Sequence, residues 1–152
     1  SFLQGPRKNK FFTLWGAPRH LDWIEHEQLR PRYNDPRVHA AVNCASIGCP
    51  ALRPEAFTAD RLEAQLEDGM QRFMPDRTRN RFADGKRQVN MIFKWFREDF
   101  EKGHKGISRL EDLMARHADQ LADTPADREK IKSKNVTIAY LDYDWSLNDL
   151  GR

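Results

Sequence analysis

Strand-like and helix-like segments follow one another in this chain without the regular alternation that builds a doubly wound parallel sheet. That order predicts an α+β fold, with mixed helices and a small, largely antiparallel sheet. Residues 10–15 carry Phe11, Phe12 and Trp15 and read as a strand; Gly16, Ala17 and Pro18 are a turn signal, and residues 19–21 a return strand. Asp22 is placed to N-cap a helix, with Glu25 three residues on as its capping-box partner. Pro31 is expected to end that helix, because a proline there removes a donor and crowds the preceding turn. Residues 37–43 read as a short buried strand around His39. Thr58 opens a helix whose apolar stripe is Leu62, Leu66, Met70 and Phe73, closed by Pro75. Residues 80–90 predict a hairpin about Asp84 and Gly85. Residues 91–102 predict a helix with Ile92, Trp95, Phe96 and Phe100 on one face, stopped by Gly103. Ser108 and Glu111 form a second capping-box pattern, before Leu110, Leu113 and Met114. Residues 126–133 read as a polar helix or turn, and residues 136–144 alternate as a half-buried strand.

The 152 residues suit a single domain over residues 1–152. Charged residues make up 32%, with both signs interspersed, and nine Phe, four Trp and three Tyr argue against a disordered chain. The net charge of +3 is too small to require an acidic partner, so no nucleic-acid partner is expected. No apolar run approaches the roughly 20 residues of a transmembrane helix, so no transmembrane segment is expected. Residues 1–6 show no apolar signal region, and the chain reads as a fragment or processed form.

Chemistry concentrates in residues 37–53. They bring together Arg37, His39, Asn43, Cys44, Ser46, Cys49 and Arg53, on a stretch that passes from apolar residues into Ala, Ser and Gly. Small residues let backbone N–H groups approach a ligand closely. A cysteine at such a junction can be activated by a nearby imidazole or by donors that stabilise a thiolate. Cys44 is the better nucleophile candidate. Ala45 and Ser46 after it both carry N–H groups for an oxyanion, whereas Pro50 after Cys49 has none. On a strand the odd offset between His39 and Cys44 would put them on opposite faces, so His26 is an equal candidate base. The same residues allow plainer readings. The two cysteines can form a disulfide staple or be two buried apolar thiols. A metal site from His39, Cys44 and Cys49 lacks the two-residue cysteine spacing of zinc sites, and no metal or cofactor is expected.

These residues also carry a resemblance. Asp35, Pro36, Arg37, Val38 and His39, then Asn43 to Ser46, then Cys49 to Arg53, resemble the signature of domain-of-unknown-function family 547. Residues 21–26, residues 92–100 and the closing run from Tyr140 to Asn148 are similar to that family's bacterial members, so the resemblance runs from about Ser1 to Asn148. It implies most of one family domain, whose usual opening helix, bearing Trp, Asn and Tyr, would lie upstream of Ser1. It implies no settled activity. Export of bacterial members makes a periplasmic or cell-envelope address the implied one, and by analogy alone the motif invites comparison with papain-like and transglutaminase-like folds.

Two functions are expected to compete. One is a cysteine-dependent hydrolase or acyltransferase with Cys44 as nucleophile, His39 or His26 as base, Asp99 as orienting carboxylate, and Asn43 with the loop N–H groups at the oxyanion. Arg37, Ser46, Cys49 and Arg53 would bind the ligand, an unknown small molecule or peptide. The other is a non-enzymatic envelope binding module stapled by a Cys44–Cys49 disulfide. Redox cycling of the two thiols is a weaker third, since their spacing is not that of thioredoxin-like sites. Elsewhere, Arg77, Arg79, Arg81, Lys86 and Arg87 read as a solvated basic loop. Asp99 needs a partner if buried, for which Arg37 and His39 are candidates. Asp142, Asp144 and Asn148 suit turn capping better than cation binding.

Overall fold

The computed structural model describes residues 5–149; the reading of residues 1–4 lies outside them. The chain separates into two compact units, Ser1–Asp35 and Pro36–Arg152.

In the first unit, β1 (Phe12–Leu14) pairs antiparallel with β2 (Ala17–Arg19), Phe12 opposite Arg19. The turn falls on Trp15 and Gly16, with φ of 53° and 74°. Two successive left-handed residues give the twist that tight hairpins prefer. Pro18 therefore sits inside β2 and not in the turn. A π-helix, Trp23–Leu29, follows and runs into α1, Arg30–Arg32. Asp22 does not cap it. The Asp22 backbone is already helical, and its carboxylate accepts from Arg7 Nε at 2.8 Å, while buried Glu25 is also bonded by Arg7. Pro31 does not end the helix either. The Arg30 N–H reaches back five residues to the Glu25 carbonyl, and this wider turn relieves the crowding a proline ring would meet in a regular α-helix.

The second unit begins with a 3-10 helix, Pro36–Ala40, followed by α2 (Leu62–Phe73) and the hairpin of β3 (Arg81–Ala83) and β4 (Lys86–Val89). Asp84 and Gly85 make the expected tight turn, with φ of 53° and 67°. Helices α3 (Ile92–Trp95), α4 (Arg97–Phe100), α5 (Leu110–Arg116), α6 (Ala118–Leu121) and α7 (Pro125–Lys132) then carry the chain to β5 (Ile138–Tyr140). β5 pairs parallel with β4, so the three-stranded sheet is mixed, in the order β3-β4-β5. A parallel return needs a long crossover, which these helices supply. The fold is α+β. Its core holds Met74, Val89, Phe93, Phe100, Leu110, Met114, Leu121 and Ile131.

Several expectations yield to tertiary packing. The helix predicted over residues 91–102 breaks at Phe96 (φ −113°, ψ 23°); Trp95 is left 43% exposed and Phe93 fills the core in its place. Ser108 and Glu111 do not box the start of α5, because Glu101 reaches across to accept the Leu110 N–H at 2.9 Å. Leu62 at the start of α2 is exposed, whereas Gln65 is buried, accepting from the Thr58 N–H (3.0 Å) and donating to the Ala56 carbonyl (2.9 Å). Of the basic residues expected to form a solvated loop, Lys86 is exposed and Arg77, Arg79 and Arg81 are half-buried, but Arg87 is not solvated. Arg87 is fully buried and donates to the Ile131 carbonyl at 3.0 Å; burial pulls its pKa down and nearby Glu111 opposes the shift.

Candidate functional site: the Cys44–Cys49 loop and the His39–Asp99 pair

Residues 37–43 are not a strand. Pro36 has the φ that a first helical residue needs, and the Ala41 and Val42 N–H groups both fold back to the Val38 carbonyl, at 3.0 and 2.9 Å. Pro36, Arg37, His39 and Ala40 are buried while Val38 is half-buried. The strand argument that set His39 and Cys44 on opposite faces therefore no longer applies.

The buried His39 finds its partner in α4. Its Nε2 lies 2.9 Å from Asp99 Oδ2, and Lys102 Nζ donates to Asp99 Oδ1 at 2.7 Å. The imidazole stacks on Phe96, with centroids 3.9 Å apart and planes 12° from parallel. Apolar rings around a carboxylate make such a partner necessary. Arg37, also buried, grips α2: its two terminal nitrogens donate to Glu63 at 2.8 and 2.6 Å, and one of them to Glu67 at 3.3 Å. Arg37 and Lys105 hold the Glu63 carboxyl down at a pKa of about 2.

Cys44 and Cys49 are joined by a disulfide, with Cα atoms 6.2 Å apart. The Cys44 N–H donates to Cys49 Sγ at 3.0 Å. The Tyr143 hydroxyl lies 3.2 Å from each sulfur and 2.9 Å from Ser46 Oγ. Disulfide sulfurs only accept, so the Tyr143 hydroxyl donates to Cys49 Sγ, and Ser46 Oγ stands within reach of both Tyr143 and Cys44 Sγ, the latter at 3.1 Å. The chain end clasps the loop further. The Ile47 N–H donates to the Ser146 carbonyl, the Gly48 N–H to Asp144, and the Asn148 N–H to Ala45, at 2.9, 2.9 and 2.8 Å. The loop fits because residue 48 is glycine: a Cβ there would stand 2.8 Å from Tyr143 Cε2 and 3.0 Å from the Asp144 carbonyl. Asp144 in turn accepts the Ser146 N–H at 2.8 Å, a turn-capping bond that lowers its pKa.

Of the donors expected at an oxyanion, Asn43 and the Ala45 N–H are already engaged. Asn43 Nδ2 donates to the Pro50 carbonyl (2.8 Å), and Asn43 Oδ1 accepts the Ala45 N–H (2.6 Å). Arg53 is bonded to Glu55 (2.8 Å), to Asp68 and to the Gln65 carbonyl. His26 lies in the first unit, exposed, with Nδ1 3.2 Å from an Arg30 nitrogen. The structure thus brings Cys44, Cys49 and Ser46 together, and pairs His39 with Asp99. Among the described residues no group of His, Cys, Asp and Glu is arranged to hold a metal ion, and no helix is long and apolar enough to cross a membrane.

Three residues that organise the loop escaped the sequence reading. Asn90 Nδ2 donates to the Gly48 carbonyl (3.0 Å), and the Asn90 N–H is accepted by Asn80 Oδ1 (3.1 Å), a buried pair at the base of the hairpin. Tyr143 is the third. Its only trace in the sequence is its place in the closing run that shares the family resemblance; nothing in the spacing points Asn80 or Asn90 at residue 48.

A family model described as Protein of unknown function, DUF547 matches residues 4–74. The match supports a domain of that family and spans the Cys44–Cys49 loop and all of α2; the aromatic helices and the closing run lie beyond it. No curated protein and no solved structure matches the chain.

Proposed function

We propose that the Cys44–Cys49 loop is a binding element, stapled by its disulfide, that presents an aromatic surface to a peptide partner. The observation that carries this reading is the disulfide itself, with Tyr143 bonded across both sulfurs. A thiol so engaged is no nucleophile, and an oxidising compartment such as the bacterial envelope suits it. Beside the loop stand rings left open to solvent. Trp95, Tyr143 and Trp145 meet at centroid distances of 4.6–5.4 Å. Trp145 is 68% exposed, and Leu147 and Ile47, either side of the Ile47–Ser146 backbone bond, are exposed as well. Rigid aromatics of this kind give much contact area for little lost side-chain entropy.

Panning a random peptide library against the oxidised protein, with Trp145→Ala as counter-target, tests the reading. Peptides that bind the former and lose the latter support it; peptides indifferent to Trp145, or none at all, reject it. Reduction should lower stability by about 2 kcal/mol, the loop-closure contribution of so short a ring, and leave the selected peptides bound. A second reading, a hydrolase whose Cys44 is unmasked by reduction, draws support from the buried His39–Asp99 pair. Alkylation of one low-pKa thiol only after reduction, together with an activity abolished by Cys44→Ser, would favour it.

A further inference from the structure

A cavity of about 300 Å³ opens in the second unit, away from the disulfide loop. Met70, Phe100, Ile107 and Leu113, all buried, give it an apolar lining; His117 and Gln120 supply polar atoms. Most charged groups of its wall are paired. Arg37 and Lys105 are matched by Glu63 and Glu67 at 2.6–3.8 Å, Asp119 is matched by Lys132 at 3.5 Å, and Arg116, exposed at the rim, donates to the Lys105 carbonyl at 3.1 Å.

The polar atoms run in one direction. Gln71 Nε2 donates to Glu67 Oε1 at 2.9 Å, Gln120 Nε2 donates to Gln71 Oε1, and His117 Nδ1 lies 2.5 Å from Gln120 Oε1. Glu67 fixes that direction, because an ionised carboxylate can only accept. The Gln71 hydrogen bond, with Lys105 and Arg37, lowers the Glu67 pKa and keeps it ionised. Each amide must then present its NH₂ toward Glu67 and its oxygen toward His117. The proton of the imidazole is thereby assigned to Nδ1. Burial lowers the His117 pKa, so the ring is neutral and Nε2 is a bare acceptor. That nitrogen makes no hydrogen bond and is not sealed from solvent.

We propose that this cavity binds an uncharged small molecule with a compact apolar body and one hydroxyl, which donates to His117 Nε2. The lining takes the body, the pairing of the charged groups with one another leaves them little to offer an ion, and the open acceptor selects the hydroxyl. A cavity of this size is at the small end of ligand sites and holds a single substituted ring.

p-Cresol and toluene share a ring and a methyl group and differ in the hydroxyl. Titrated into the wild-type protein at pH 8, p-cresol should bind about tenfold more tightly than toluene, the yield of one well-made hydrogen bond. In His117→Phe the order should reverse, because the hydroxyl then loses its acceptor. Nitrogen-15 spectra of the wild-type protein give a second measurement that needs no variant. The free protein should show the His117 proton on Nδ1, and p-cresol should shift the Nε2 resonance. Gln71→Leu, which cuts the chain, should weaken the Nδ1 preference. Toluene binding as well as p-cresol in wild type, no binding of either, or a proton on Nε2 would each overturn the proposal.

Discussion

The disulfide loop and the His117 cavity each carry a hydrogen-bonded set of polar groups and are partly buried, yet they are built in opposite ways. In the loop almost every polar group closes on another part of the chain: sulfurs on Tyr143, Asn43 on Pro50 and Ala45, Gly48 on Asp144 and Asn90. In the cavity the bonds run as an open chain from Glu67 to His117 and stop one acceptor short of closure. A closed network spends its bonding capacity on fixing shape, so what it offers a partner is its surface. An open one offers an unused bond. The difference teaches that the density of chemically able side chains, which makes residues 37–53 conspicuous, is a poor guide to where an unspent group lies.

The sharpest way to break the comparison is to open the closed site. Gly48→Ala puts a methyl 2.8 and 2.9 Å from two carbons of the Tyr143 ring, inside van der Waals contact, and 3.0 Å from the Asp144 carbonyl, a tight contact. The Tyr143 ring, already packed against Trp95 and Trp145, can retreat only by leaving the sulfurs. Urea denaturation should show a loss of about 2–3 kcal/mol, as overpacking a filled site does. An unchanged midpoint would mean that the chain end does not clasp the loop, and the contrast with the cavity would fall with it.

How much of this was legible in the sequence depends on the range over which each feature is decided. The Asp84 and Gly85 turn and the Gly103 stop are settled within a few residues. Turn and terminus chemistry acts at that range. The pairing of His39 with Asp99 spans sixty positions and was open only as an option, since any buried carboxylate needs some partner. The 3-10 turn over residues 36–40 was missed because four apolar residues around one histidine satisfy a strand as readily as a tight helix, and only the missing neighbour strand decides. The chain of Gln71, Gln120 and His117 crosses from α2 to α6 and leaves no pattern along the sequence.

A smaller effect sharpens the other side of the comparison. Glu63 is shared by Arg37 and Lys105, both of which line the cavity. Its pKa is depressed from about 4.5 to about 2. A depressed carboxyl stabilises the folded state above its unfolded value and ceases to do so as pH falls through the folded one. Wild-type stability should therefore decline between about pH 4.5 and 2 more steeply than that of Glu63→Gln, in chemical denaturation at stepped pH. Because Glu63 is exposed, the gap should shrink in high salt. Parallel curves for the two proteins would show that Arg37 is held by its burial and not by this carboxylate.

The smallest expected effect lies where the 3-10 turn meets α2. Gly69 faces the Ala40 carbonyl, and a Cβ added there would stand 3.5 Å from that oxygen, an ordinary van der Waals contact. Glycine inside a helix costs roughly 0.5–1 kcal/mol relative to alanine, because the unfolded chain has more freedom to lose. Since nothing at residue 69 demands the absence of a side chain, Gly69→Ala should stabilise the protein by about that amount, read as a raised urea midpoint with an unchanged slope. The sign is what matters beside Gly48→Ala. Both glycines lie against a backbone carbonyl, but only Gly48 also lies under an aromatic ring, so the same added methyl should help at one and harm at the other. If Gly69→Ala destabilised the protein instead, the turn at Ala40 would have to pack more tightly on α2 than 3.5 Å allows, and the placement of Arg37 and His39 on that turn would need to shift with it.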